Sequence, residues 1–157
     1  MKLKIKVDTD KLVRAFEKAP DETREKIRQA VKETARDIKT RASAEHRYTS
    51  RSGLLERSGV HYRVERRVKS GAVGYVFLDD VAVPYGRYLH EGTKSHVIEP
   101  RNRRVLRWPV GEDFAFAKRV RVSGIKPDPF LYNAAEKEAP VFERRLAAAL
   151  DEVLEGL

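Results

Sequence analysis

The fold of this chain follows from residues 60–77, VHYRVERRVKSGAVGYVF. Apolar and polar side chains alternate from residue 60 to residue 68, and apolar residues recur at every second position from Val73 to Phe77. A period of two is typical of strands that bury one face. The polar Lys69-Ser70-Gly71 between the two runs is typical of a tight turn. The stretch therefore predicts an antiparallel β-hairpin near the middle of the chain.

Amphipathic helices are predicted on both sides of this hairpin. A long helix is expected over residues 20–45, because its apolar side chains recur at helical spacing. They are Ile27, Val31, Ile38 and Ala42, with Ala30 and Ala35 beside them. A short helix is expected before it, over residues 12–19. A C-terminal helix is expected after Pro129, with a kink or a restart near Ala139 because Pro140 cannot donate a helical hydrogen bond.

Further strands complete the predicted sheet. Leucine, isoleucine and valine alternate with lysines over residues 3–7, which indicates a strand at a sheet edge. Two more strands are expected at residues 104–110 and 117–122, separated by a short polar link. Helices at the ends and hairpin-linked strands between them predict an α+β fold, with the helices packed on one face of a largely antiparallel sheet. No Pro/Gly/Ser-rich linker is evident, so residues 1–157 are expected to form one domain.

Composition excludes several classes of protein. The chain carries 33 Lys and Arg against 24 Asp and Glu, a formal charge of +9, and no cysteine. The lack of cysteine excludes disulfide frameworks, thiol nucleophiles and cysteine-ligated zinc. No apolar run is long enough to cross a bilayer, so no membrane partner is expected. Charged residues make up 36%, with one Met and one Gln, and this profile is typical of a thermophile.

Residues 90–96, HEGTKSH, are the strongest candidate in the sequence for a catalytic or metal-binding site. The histidines of a zincin helix are four residues apart so that both lie on one face, whereas His90 and His96 are six apart across a glycine. The string is therefore better explained as polar residues of a surface loop than as a metal site. Likewise, Asp79-Asp80 is better explained as part of a turn than as a pair of metal ligands. No nucleophile elbow, Walker or dinucleotide motif is present. We therefore predict no enzymatic activity, no cofactor and no metal.

The charge of the chain is unevenly distributed. Residues 47–69 hold seven basic and two acidic residues, residues 101–126 hold eight and two, and residues 127–157 hold three and seven. Strands 60–68 and 117–122 in one sheet would present a basic face to a DNA backbone. That face would be formed by Arg63, Arg67, Arg119 and Arg121. Alternatively, the basic surface of one copy meets the acidic C-terminal region of the next, a head-to-tail contact that closes into rings.

Three strings in the chain resemble a known family. Residues 83–93, VPYGRYLHEGT, resemble the Glu-Gly-Thr signature of the small phage tail-component family, which includes minor tail protein Z of lambdoid phages. Residues 126–131, KPDPFL, are similar to the proline-rich turn that opens the family's last helix. The expected loop at residues 47–58 contains SRSGLLERS, which is similar to the segment leading into the family's first hairpin. The matching residues are Tyr85, Tyr88, Glu91, Gly92, Thr93, Pro127, Pro129 and Phe130.

The conformational and packing preferences of these residues also indicate a structural role. Residues 85–91 are expected to form a short helix that ends at Gly92, which accepts a positive φ. Pro127 and Pro129 set an extended approach to the last helix, and Phe130 anchors that helix in the core. The Arg-rich residues 101–107 depart from the family pattern, as does Gly86-Arg87.

The resemblance implies a structural virion protein of a long-tailed phage or prophage, which completes the tail or joins it to the head as an oligomeric collar. Its implied partners are further copies of itself, adjacent neck or tail-tube proteins, and genome DNA that passes through the lumen without sequence readout. The implied location is the virion neck or tail end, and the host cytoplasm during assembly. Subunit or ring contacts are expected at Arg51, Arg57, Arg101, Arg103, Arg104 and Arg107. The alternative is a basic DNA-binding accessory protein without enzymatic activity.

Overall fold

The computed structural model describes residues 4–8, 21–67 and 71–155, and it has the predicted α+β fold. The helices are α1 (Asp21–Ala44), α2 (Gly86–Glu91) and α3 (Phe130–Glu155), with a single helical turn at Leu55–Gly59. The strands are β1 (Lys4–Asp8), β2 (Val60–Arg67), β3 (Gly71–Leu78), β4 (His96–Ile98), β5 (Leu106–Val110), β6 (Asp113–Ala117) and β7 (Val120–Val122). The short helix expected at residues 12–19 lies outside the described residues.

The predicted central hairpin is confirmed. Strands β2 and β3 pair antiparallel with Val60 opposite Leu78 and Arg67 opposite Gly71. Strand β1 pairs with the other side of β3, so the three-stranded sheet has the order β1-β3-β2. The N-terminal strand therefore lies at a sheet edge, as its alternating lysines indicate.

The core lies between this sheet and α1. The six apolar residues predicted for the buried face of the long helix are all buried. A Cβ added to Gly74 of β3 would lie 3.1 Å from a methyl carbon of Val31 and 3.3 Å from Cβ of Ala35, so the helix approaches the strand closely there. Helix α3 packs chiefly against α1 and buries Phe130 and Leu131. The two long helices thus pack against each other and against the strands.

Two expectations about local structure are wrong in part. The predicted loop at residues 47–58 contains a helical turn, because Leu55 is buried in the core and orders the chain around it. The predicted strand at 117–122 is two strands, β6 and β7, and β6 begins at Asp113 within the supposed polar link. Helix α3 runs through Pro140 as one element, so the restart does not occur and the alternative, a kink near Ala139, stays a prediction.

The expected basic face across strands 60–68 and 117–122 does not form. Strand β2 belongs to the three-stranded sheet, whereas β7 pairs only with β4 among the described strands. Strands β5 and β6 form a further two-stranded sheet. The predicted single sheet is therefore divided, since each short strand after residue 92 finds its partner within residues 93–125.

Candidate assembly surface

The two strongest family-like strings meet in the structure and form one joint. The Thr93 N–H donates to the Ile125 carbonyl at 2.9 Å, and the Ile125 N–H donates to the Thr93 carbonyl at 3.1 Å. Gly92 has φ +75°, and an added Cβ would lie 2.7 Å from the Ile125 carbonyl oxygen and 2.8 Å from the Pro127 nitrogen. The predicted helix end at Gly92 is confirmed, and contact with residues 125–127 is a second reason for a glycine there.

Asp128 ties this joint to the segment that follows α1, a role the sequence analysis missed. Its buried carboxylate accepts hydrogen bonds from the backbone N–H groups of Arg47 and Tyr48, the latter at 3.0 Å. Its own N–H donates to the Leu89 carbonyl at 3.0 Å. Phe130 is fully buried beside it, with its ring centroid 5.4 Å from that of Tyr48. The signal for this role was an aspartate between two prolines at the start of a helix, where a short acceptor side chain is favoured.

His90 was expected at the surface, and this is wrong. Its side chain is 2% exposed and makes edge-on contacts with Phe130 and Tyr132, because α2 lies directly over the start of α3. Burial lowers the pKa of His90, although the charges of Glu91 and Asp128 act in the opposite direction. His96 instead lies exposed on β4. Within residues 4–8, 21–67 and 71–155, no three His, Asp or Glu side chains are placed to share a metal ion.

The joint also holds the base of a projecting hairpin. Beyond Thr93 and Ile125, strand β4 pairs with β7, with His96 opposite Val122 and Ile98 opposite Val120. The chain between these paired segments, residues 99–119, contains β5 and β6. We call residues 101–117, which contain β5, β6 and their turn, the arm. The family-like residues therefore fix the base from which the arm extends.

The arm is apolar on both faces. Because residues directly opposite each other in an antiparallel pair share a face, one face carries Trp108 and Val110, and the other carries Phe114 and Phe116. These side chains are 37%, 55%, 49% and 61% exposed, respectively. The Arg107 guanidinium lies over the Phe114 ring at 3.6 Å. A two-stranded hairpin is at best marginally stable in water without a packing partner, so this one exposes surface that a partner would bury.

The charges around the arm are unpaired, whereas those between the long helices are paired. Arg41 donates to buried Glu138 at 2.7 Å, and Arg145 donates to Asp37 at 2.6 Å. Burial alone would raise the pKa of Asp37, but the hydrogen bonds and charges of Arg145 and, after it, Arg36 together outweigh burial and lower that pKa. In contrast, the eight basic side chains of residues 101–126 are all exposed, and none forms an ion pair with another described residue.

The structure divides the six candidate arginines into two groups. Four lie at the arm: Arg101, Arg103 and Arg104 precede β5, and Arg107 lies on it. The other two lie around the helical turn at Leu55–Gly59, with Arg51 in the segment before it and Arg57 within it. Arg51 lines a cavity of about 500 Å³ together with Tyr85, Leu55, Leu89 and Ile125. Arg57 is exposed and donates to the Ser52 carbonyl at 2.9 Å.

Tyr85 and Tyr88 of the family-like string are both exposed. The Arg87 guanidinium lies 5.2 Å from the ring centroid of Tyr88, and its Nε lies 3.7 Å from a carboxylate oxygen of Glu91. These side chains form a polar and aromatic surface on α2, on the outside of the joint.

Comparison of the chain with protein-family models, curated proteins and solved structures gives no match. The resemblance to phage tail components therefore remains a prediction that rests on the residues of this chain. None of the described helices is both long enough and apolar enough to cross a membrane. Within the described residues, the arm combines exposed large apolar side chains with exposed arginines that form no ion pair.

Proposed function

We propose that this chain is a structural subunit of a long-tailed phage or prophage virion, which completes the tail or joins it to the head as an oligomeric collar. The arm is the observation that carries this proposal. It exposes Trp108, Phe114 and Phe116 and carries basic side chains that have no ion-pair partner in the described part of the chain. Large apolar side chains exposed together in this way are typical of a protein–protein contact.

The joint supports the same proposal. Gly92 and Thr93 from one family-like string meet Ile125, which immediately precedes the other string, and Pro127 within it, and these contacts position the arm. A rigid base fixes the direction in which the arm leaves the subunit, and a repeated direction is what a closed ring requires. The residues that resemble the tail-component family thus act as a scaffold for an assembly surface.

Charge reversal at the arm tests the proposal in virions. Arg103→Glu with Arg104→Glu should abolish joining of tails to heads, because a basic contact surface becomes acidic. The melting temperature of the isolated subunit should stay nearly unchanged, since neither arginine forms an ion pair with a described residue. The measurement is the yield of infectious particles when the variant gene replaces the original one in its phage or prophage.

The matched control is Lys32→Glu with Arg66→Glu, which makes the same change in charge at two exposed positions on α1 and β2. This control should leave the particle yield unchanged. Normal infectious particles from the arm variant would contradict the proposal. A loss of particles from both variants would show that net charge matters and that the arm has no special role.

A DNA-binding accessory protein is the second candidate, favoured by the eight exposed basic residues over residues 101–126. A duplex binder that neutralises several phosphates loses affinity steeply as salt increases. Binding of the purified chain to a short duplex should therefore be measured at several salt concentrations. Submicromolar affinity near physiological salt with a steep log–log slope would favour this candidate over the collar.

A further inference from the structure

We propose that the arm of one copy docks along the solvent-facing side of α3 in a second copy. We call this side the outer stripe, and its residues follow one another three or four positions apart, so they lie on one side of the helix. They are Tyr132, Glu136, Pro140, Glu143, Ala147 and Asp151, and all are exposed. The inference rests on the self-assembly proposed above and names the surface that receives the arm.

Charge complementarity identifies a second copy as the partner. The carboxylates of Glu136, Glu143 and Asp151 form no ion pair with another residue in the described ranges, although Glu138, which is buried two residues after Glu136, is paired with Arg41. The arm and its base carry the unpaired basic residues. Basic residues outnumber acidic ones by eight to two over residues 101–126, whereas the outer stripe has three carboxylates and no basic residue. This arrangement favours a head-to-tail contact between copies.

The shape of the outer stripe suits the aromatic side chains of the arm. Between the carboxylates the helix exposes Ala139, Pro140 and Ala147, which are small and leave the backbone accessible. Pro140 has no N–H, so the carbonyl of Glu136 lacks its ordinary helical donor. A guanidinium or the Trp108 indole N–H of a second copy would supply a donor there. Apolar contact and hydrogen bonding are thus both possible on this stripe.

Cysteine cross-linking tests the contact directly, because the chain contains no cysteine of its own. One protein carries Ala115→Cys on β6 and another carries Ala147→Cys on the outer stripe. Each chain then has a single thiol, so any disulfide between the two mutant positions must join two copies. An equimolar mixture should give, under mild oxidation, at least about tenfold more of the mixed dimer than a control mixture does.

The control mixture pairs Ala115→Cys with Ser52→Cys, an exposed position at the rim of the cavity lined by Arg51 and Tyr85. Preferential cross-linking to Ser52→Cys would place the arm at that cavity and overturn the assignment to α3. Equal cross-linking to both positions would indicate random collision and would also overturn it.

A charge swap gives a second readout on the full chain. Glu136→Arg with Glu143→Arg should weaken self-association at least about tenfold in sedimentation measurements, as should Arg103→Glu with Arg104→Glu. The chain that carries all four changes should recover most of the association, because opposite charges again face each other. No recovery, or a chain that stays monomeric when concentrated, overturns the docking proposal.

These outcomes are separable from those of the proposed collar. If α3 variants and the cross-links show no docking while charge reversal at the arm still abolishes joining of tails to heads, the collar stands and the docking surface is another protein. If docking is observed while particles from the arm variant are normal, the chain self-associates but the proposed virion role fails.

Discussion

Replacing Gly92 by alanine should destabilise the joint that carries the arm. The residue has φ +75° and ψ 174°, a conformation essentially confined to glycine. An added Cβ would also lie 2.7, 2.8 and 2.9 Å from Ile125 and Pro127 atoms, most of them backbone atoms that cannot move aside cheaply. Backbone strain of this kind costs about 1–3 kcal/mol, and the overlap adds to it.

We therefore expect Gly92→Ala to lower the free energy of unfolding by roughly 3 kcal/mol, near the upper end of single-substitution effects. For a chain of this length that corresponds to a fall in melting temperature of about 6–12 °C. Urea unfolding followed by circular dichroism measures the first quantity, and a thermal melt measures the second. The arm should remain formed at low temperature, since its own strand pairing is not altered.

Gly111→Ala is the matched control for this prediction. Gly111 also has a positive φ, +61°, but no described atom lies within 4 Å of its added Cβ. Its substitution carries the conformational cost alone, about 1 kcal/mol. If Gly92→Ala loses no more stability than Gly111→Ala, the joint is not tightly packed and our account of the family-like residues is wrong.

Other residues give predictions that can be checked in the same melts. The lowered pKa of Asp37 means that its pair with Arg145 contributes stability above the unfolded-state pKa of about 4, and that this contribution is lost as pH falls through the folded-state value. Asp37→Asn should thus cost about 1 kcal/mol at pH 7, and the difference from the original chain should shrink in acid. The lowered pKa of buried His90 has a related effect, since the unfolded chain takes up a proton below about pH 6.5 before the folded chain does. His90→Leu should therefore lose less stability between pH 7 and pH 5 than the original chain does. Phe130→Ala removes a fully buried ring and should cost about 3–5 kcal/mol in urea unfolding.

Local periodicity predicted the elements that bury one continuous face. The apolar spacing of α1 and the alternation along β2 and β3 are visible within about twenty residues, because the geometry of a helix or strand repeats over that distance. Gly92 was also predictable, since it follows a short helical segment and precedes no helical pattern. These features depend only on neighbouring residues.

The features that were missed depend on contacts between distant residues. Leu55 orders a helical turn because the core accepts its side chain, and Asp128 is buried because it caps backbone N–H groups of the segment at residues 47–48. His90 looked like a surface residue because polar neighbours surround it in sequence, but α3 covers it. The start of strand β6 was not predicted, because its first residue, Asp113, is polar and was assigned to the link between two strands.

The amino-acid order alone determined the α+β class, the positions of the long helices and the concentration of basic residues after residue 100. Only the tertiary structure decided which charged side chains form ion pairs within the subunit. Arg41 and Arg145 pair with carboxylates because α1 and α3 are brought side by side, whereas the arginines at the arm form no ion pair with a described residue. Ion pairing depends on the distance between charged side chains in the folded chain, and neither composition nor periodicity gives that distance. That difference is why the arm, and not the helices, is the surface we assign to assembly.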